Sequence, residues 1–214
     1  FDPAEREAKA AIWRVLCEDF FQRYVSPCDA VLDLGAGFCE FINNIRCGAK
    51  WAVDADEQVR VHAGAGVNVR CSPAHELGWL EAASVNVVFA SNFFEHLPDK
   101  DQFLATLREI RRVLSVGGRL LILQPNIRLL HGEYWDFVDH HLPLTDRTLV
   151  EALELVGLRP VDLRVRFLPY TTKSRFPQYG WLVRLYLMAR PLQWWFGKQT
   201  WLVAEKPTMS HDRG

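Results

Sequence analysis

The sequence predicts an α/β fold, a doubly wound sheet with helices on both faces. Three observations predict it. Short apolar runs alternate with amphipathic segments through the first two thirds of the chain, which is the pattern of strands separated by crossover helices. The run Ala30-Val31-Leu32-Asp33-Leu34 carries an acid near its end and breaks into a turn holding Gly35 and Gly37. A second apolar run, Trp51-Ala52-Val53, ends on Asp54. Strand, glycine loop, helix and acid-tipped strand is the order in which such folds hold a nucleoside-containing ligand.

Each element follows in turn. Asp2-Pro3 starts a helix, the acid as N-cap and proline at the first helical position. Its stripe of Ile12, Val15, Leu16 and Phe20 predicts a run to about Tyr24. The first strand is Ala30–Leu34, followed by a helix over Cys39–Ile45 and a second strand at Lys50–Asp54. A short helix, Glu57–His62, leads to a third strand near Val67–Arg70. The segment Val85-Asn86-Val87-Val88-Phe89-Ala90 is apolar enough to be a central strand. Asp99 with Gln102 forms a capping box for a helix running to Leu114, which Gly117 or Gly118 would end. The fifth strand is Arg119–Gln124, stopped by Pro125.

Residues 126–144 show no periodicity, and so long a connection reads as an active-site loop or lid. Thr145 caps a helix that ends at Gly157, and a sixth strand spans Val161–Val165. An aromatic and arginine-rich segment, 166–198, precedes the last strand at Thr200–Glu205 and reads as an insertion on the acceptor side. With no repeat and no linker, residues 1–214 form a single domain.

Composition excludes several classes. The 25 Lys and Arg balance 26 Asp and Glu, so no electrostatic footprint for nucleic acid exists. Cys17, Cys28, Cys39, Cys47 and Cys71 are odd in number and hold no CxxC pair. They read as reduced thiols of a cytoplasmic protein, neither a disulfide framework nor a zinc site. No stretch is long and apolar enough to span a bilayer.

The glycine loop narrows the ligand. A dinucleotide fingerprint needs a third glycine three residues after Gly37, where Glu40 stands. A carboxylate there would repel a pyrophosphate, and no GKS or GKT element marks a P-loop. A loop without phosphate-binding character suits a cofactor with a nucleoside and no phosphate, S-adenosylmethionine.

These motifs resemble the class I S-adenosylmethionine-dependent methyltransferases, type 11 in particular, over nearly the whole chain. Val31-Leu32-Asp33-Leu34-Gly35-Ala36-Gly37 resembles the first motif of that family, and Val53-Asp54 the second, whose acid holds the ribose. Val87–Ala90 with Ser91-Asn92-Phe93-Phe94-Glu95-His96-Leu97 resembles the fourth-strand motif and its trailing EHL. Arg112-Val113-Leu114 with Gly117-Gly118-Arg119-Leu120 resembles the turn into strand five. The chain departs from the pattern at Cys39, often a third glycine, and at Asn86, usually an acid. The stretch after strand three, Ser72 to His75, lacks the usual adenine-contacting acid. The resemblance implies a Rossmann-like sheet of seven strands with the last antiparallel. It implies a cofactor site drawn from Asp33, Gly35, Ala36, Gly37, Phe38, Asp54, Ala55, His75, Asn92 and Phe93. The Pro125-Asn126 turn and the Glu133-Tyr134-Trp135-Asp136 run are similar to bacterial methyltransferases of surface-glycan or natural-product clusters, which implies a sugar, glycolipid or natural-product hydroxyl as acceptor.

A hydroxyl acceptor needs its proton removed, while alignment of acceptor, methyl and leaving sulfur supplies most of the rate. The densest supply of bases is Glu133–His141. His141 or His140 is the expected base, oriented by Asp139 or Asp136, with His96, Tyr134 and Trp135 against the acceptor. No metal is expected, because the Asp and His spacing matches no standard ligand set. Two other functions fit the same motifs: N- or C-methylation of a small metabolite or quinone, and a non-catalytic S-adenosylmethionine-binding regulator. Trp181, Trp194, Trp195 and Trp201 lie in one C-terminal stretch. A helix packed on the sheet is the plainer reading of that stretch; an acceptor wall or a membrane-interfacial patch is the sharper one.

Overall fold

The computed structural model describes residues 3–170 and 180–208. Asp2, expected as the first N-cap, lies outside them. Among the described residues there are seven strands: β1 (Ala30–Leu34), β2 (Ala49–Asp54), β3 (Val67–Cys71), β4 (Val85–Ser91), β5 (Leu114–Pro125), β6 (Arg159–Leu168) and β7 (Gln199–Glu205). The helices are α1 (Pro3–Asp19), α2 (Glu40–Asn44), α3 (Val59–His62), α4 (Lys100–Val113), α5 (Ile127–Leu130), α6 (Asp146–Leu155), α7 (Gly180–Met188) and α8 (Arg190–Phe196). The strands form one sheet in the order β3-β2-β1-β4-β5-β7-β6. The first five are parallel, and β7 runs antiparallel to both β5 and β6. The strand order reverses between β1 and β4, and a ligand crevice opens beyond the carboxyl ends of strands at such a switch.

Two apolar layers sandwich the sheet, and strand residues feed them alternately. On β5, Leu120 and Ile122 join the layer under α4 and α6, whereas Leu121 and Leu123 join the layer under α1 and α2. On β7, Leu202 and Ala204 face the first layer and Trp201 and Val203 the second. Burial on both faces explains why these strands read as unbroken apolar runs. The second layer is rich in rings: Phe41 stacks on Phe89 at 3.8 Å, and Phe20 and Phe21 each lie 5.2 Å from Trp201.

Three expected boundaries move. The first helix stops at Asp19, and Phe21–Tyr24 forms a separate 3₁₀ turn. Phe20 and Phe21 are both buried at this break. α4 ends at Val113, and Gly117 and Gly118 do not terminate it. They sit in a bulge of β5 between Leu114, opposite Val85, and Arg119, opposite Val87. Gly117 takes φ +75°, and the bulge is tied to the chain after β7 through Gly117 N–H to Lys206 O and Lys206 N–H to Gly118 O. The sixth strand is twice the expected length, because β7 pairs along it from Arg159 to Leu168. Asn86, at the position of the family's usual acid, accepts the Ala30 N–H at 2.8 Å and so anchors the start of β1.

Candidate active site

The first half of the site is backbone. Gly35 and Gly37 take φ +70° and +47°, the region glycine enters without penalty. The Gly35 and Ala36 N–H groups bond to Val53 O at 2.9 and 3.1 Å, which locks the turn to β2. Asp54, at the tip of β2, accepts the Gly37 N–H at 2.8 Å on one oxygen and the Asp56 N–H at 2.9 Å on the other. A carboxylate has about four acceptor positions, so Asp54 keeps room for a pair of hydroxyls. A Cβ on Gly35 would come within 2.3 Å of the Phe93 ring, whereas one on Gly37 would meet nothing within 4 Å. The first glycine therefore lets the β4 exit close over the turn, and the second leaves the crevice open.

Cys39 holds the next position, at φ +58°. That conformation is why glycine suits the site, and cysteine tolerates it here with a buried thiol against Val59 O at 3.8 Å. Asp33 does not reach the crevice. It is buried beneath the turn, accepts the Ile42 N–H at 3.3 Å and braces α2. Burial, with Glu40 and Asp54 nearby, raises its pKa to about 8. Asn92 takes φ +47° and donates its N–H to Leu123 O at 2.8 Å. Ala36 is buried and Ala55 exposed on either side of the turn. Phe38 is 39% exposed, its ring 4.8 Å from that of His62. His75 is half-buried, while the Ser72 hydroxyl beside β3 is buried without a partner.

These features fit S-adenosylmethionine. Asp54 offers acceptors for ribose hydroxyls, and the space over Gly37 admits the ligand against backbone.

The second half of the site is a side-chain cluster. Glu95 lies just beyond β4 and is buried, accepting from Gln124 Nε2 at 2.8 Å. Its backbone carbonyl accepts the N–H groups of His141 and Leu142, pinning the 126–144 connection against the end of β4. A Glu95 oxygen and ring nitrogens of His96 and His140 lie within 4.8 Å of one another. That nitrogen and oxygen set could hold a divalent ion. His96 Nδ1 is 3.2 Å from Asp139 Oδ2 and 3.1 Å from the Asp139 carbonyl. Burial raises the Glu95 pKa to about 6 against the opposing effect of His96. His140 is buried with Nδ1 2.8 Å from Tyr134 O, and burial with His96 nearby lowers its pKa.

The adjacent histidines thus part company: His140 points in and His141 out. Asp139, expected to orient one of them, is paired with His96. Asp136 is exposed, with no hydrogen bond or ion pair recorded among the described residues. Tyr134, expected against the acceptor, is fully buried and donates its hydroxyl to Leu142 O, whereas Trp135 is half exposed. The 126–144 connection contains α5 and a 3₁₀ segment, His131–Asp136. Its start is held by Asn126, which donates to Asp146 and Thr200 at 2.8 and 3.0 Å. Sequence reasoning missed Gln124 and Asn126; a polar pair closing an apolar strand was the available signal.

Residues 32–122 match the family model described as a methyltransferase domain. Comparison with curated proteins finds no match. Among solved structures, the chain resembles one from the Haloferax volcanii complex between the Trm112 methyltransferase activator and a methyltransferase. Identity there is 18% over 97% of this chain and 95% of that one, with a TM-score of 0.70. A SAM-dependent methyltransferase from Archaeoglobus fulgidus is 23% identical over 94% of each chain, with a TM-score of 0.67. One from Methanosarcina mazei is 15% identical over 88% of this chain and 97% of that one, with a TM-score of 0.65. At these identities the likeness is one of fold.

Proposed function

From its place among the class I S-adenosylmethionine-dependent methyltransferases, we infer that this chain methylates a hydroxyl of a sugar, glycolipid or natural-product acceptor. The single observation that carries the reading is the His96–Asp139 pair, 3.2 Å apart at the carboxyl end of β4. Asp139 accepts a hydrogen bond from the Nδ1–H and so sets the tautomer, which leaves Nε2 of the half-exposed His96 ring with a free lone pair. An acceptor hydroxyl placed there passes its proton to Nε2. That transfer would free the acceptor oxygen for the methyl that S-adenosylmethionine would supply. The bound cofactor supplies that methyl on a sulfonium, a leaving group in need of no acid. The His140 ring lies edge to face against His96 at 5.0 Å, and the Phe93 ring lies over Gly35.

An amine acceptor, neutral at working pH, would not need the base, so the dyad favours oxygen over nitrogen. The test begins with methyl-labelled S-adenosylmethionine and fractionated glycan and polar-lipid extracts, and the labelled product is identified by mass spectrometry. With that product in hand, His96→Asn and Asp139→Asn are expected to lower kcat by about a hundredfold or more, with cofactor affinity unchanged. Full turnover in His96→Asn overturns the assignment.

A further inference from the structure

Between Asp162 and Glu205 the sequence has no Asp or Glu and seven Arg and Lys, in a chain whose net charge is −1. This stretch builds α7 and α8. On α7, Trp181, Leu185 and Met188 follow helical spacing and are 63%, 52% and 83% exposed. The opposite side, Val183, Tyr186 and Leu187, packs on the second core layer. Away from the core α7 is apolar except at Arg184, which pairs with Glu18 and Asp19 of α1 at 3.5 and 2.7 Å, whereas a helix facing water carries a full polar outer stripe. On α8 the outward residues are Trp194 and Trp195, 64% and 72% exposed and edge-to-face at 5.4 Å.

Charge sits beside this apolar face. A cleft of about 460 Å³ is lined by Arg164, Arg166, Arg190 and Trp194, with Asp162 its one acid. Asp162 is engaged by the Tyr24 hydroxyl at 2.8 Å and lies 3.9 Å from Arg164. The Arg166 guanidinium lies 5.9 Å from the Trp194 ring, and Arg190 is exposed at the start of α8. Exposed tryptophan next to arginine, with the nearby acids Asp162, Glu18 and Asp19 engaged by Tyr24 or Arg184, is the chemistry of a protein face that enters the headgroup layer of an anionic bilayer. No described helix is long and apolar enough to cross a membrane, so the contact is peripheral.

We propose that the α7–α8 face docks on an anionic membrane surface. Trp181, Trp194 and Trp195 enter the interfacial layer, while Arg166 and Arg190 meet lipid phosphates at the cleft. α8 runs directly into β7, whose Gln199 pairs with Pro125, and Lys198 binds Glu133 at 2.6 Å. The docked face therefore lies at the edge of the sheet that bears the side-chain cluster. The surface stands on its own residues and does not depend on the identity of the acceptor.

Co-sedimentation of the whole chain with phosphatidylcholine vesicles, with and without about 30% phosphatidylglycerol, tests the proposal. Binding is expected to the anionic vesicles, at least about tenfold weaker to the neutral ones, and weakened by salt. The double variant Trp194→Ser/Trp195→Ser and the single variant Arg190→Glu are each expected to lose about tenfold in vesicle affinity. Circular dichroism should stay unchanged, because these side chains face outward. Undiminished binding by the folded double variant overturns the proposal, as does failure of the parent protein to pellet with anionic vesicles. Self-association of the parent that the double variant abolishes overturns it too, since a second copy would then cover the face. So does inorganic phosphate binding at the cleft that vesicles fail to displace.

Discussion

The glycine turn and the Glu95–His96–His140 cluster share one edge of the sheet, yet they are assembled over different distances along the chain. Gly37 meets Asp54 across 17 residues, and the contact is between a backbone N–H and a carboxylate at a strand tip. His96 meets Asp139 across 43 residues, and Glu95 meets Gln124 across 29. The donor half needs two strands, one turn and residues able to take positive φ. The acceptor half needs the exit of β4, the end of β5 and a connection folded back on itself. A cofactor common to a fold can be held by backbone geometry, whereas an acceptor must be recognised by side chains brought from several elements.

The comparison breaks most sharply at Gly35. Gly35→Ala puts a methyl into the Phe93 ring and forces either the turn or the β4 exit to move. An ångström-scale displacement of a binding group costs about a hundredfold. Calorimetry is expected to show S-adenosylmethionine affinity lowered by that order, and Gly37→Ala, whose methyl would enter the space left for the ligand from a backbone at φ +47°, should lose affinity as well.

The buried Asp33 supplies the next test. Its pKa in the fold, about 8, lies above the ordinary value of about 4. The folded chain therefore holds a proton that the unfolded chain sheds between those limits. Stability from this group is complete below about pH 4 and is lost as pH rises through about 8. Thermal melting of Asp33→Asn should show a flatter pH dependence across that window than the parent. An unchanged profile would mean that Asp33 is not held protonated under the turn.

On the acceptor side, Tyr134→Phe removes the hydroxyl that donates to Leu142 O. A loss of about 1 kcal/mol in unfolding free energy is expected, with donor affinity intact. If donor affinity falls as well, the two halves are coupled rather than separate. The smallest effect is at Cys39. Cys39→Gly relieves the left-handed backbone while Cys39→Ala keeps it, so the glycine variant should be the more stable by roughly 1 kcal/mol in denaturant titration.

Much of this was legible without coordinates, because it rests on patterns within a few residues of one another. Apolar runs named the strands, the Asp99 and Thr145 caps began their helices where expected, and the glycine turn with Asp54 named the donor. Where the sequence misled, a partner lay far along the chain. Gly117-Gly118 resembles a helix stop, but the bulge against β4 and the Lys206 backbone claim it. Asp33 read as a ligand because it sits in the motif, but strand alternation turns it beneath the turn.

By itself, then, the sequence determined the sheet and the class of chemistry, both encoded by local periodicity and by backbone conformations that particular residues permit. Only the tertiary structure decided that Asp139 serves His96, that His140 faces inward and His141 outward, and that Tyr134 supports the loop from within. It alone showed three of the four C-terminal tryptophans on the surface while Trp201 fills the core. Those outcomes depend on which strand ends and helix faces meet in space, and no spacing along the chain carries that information.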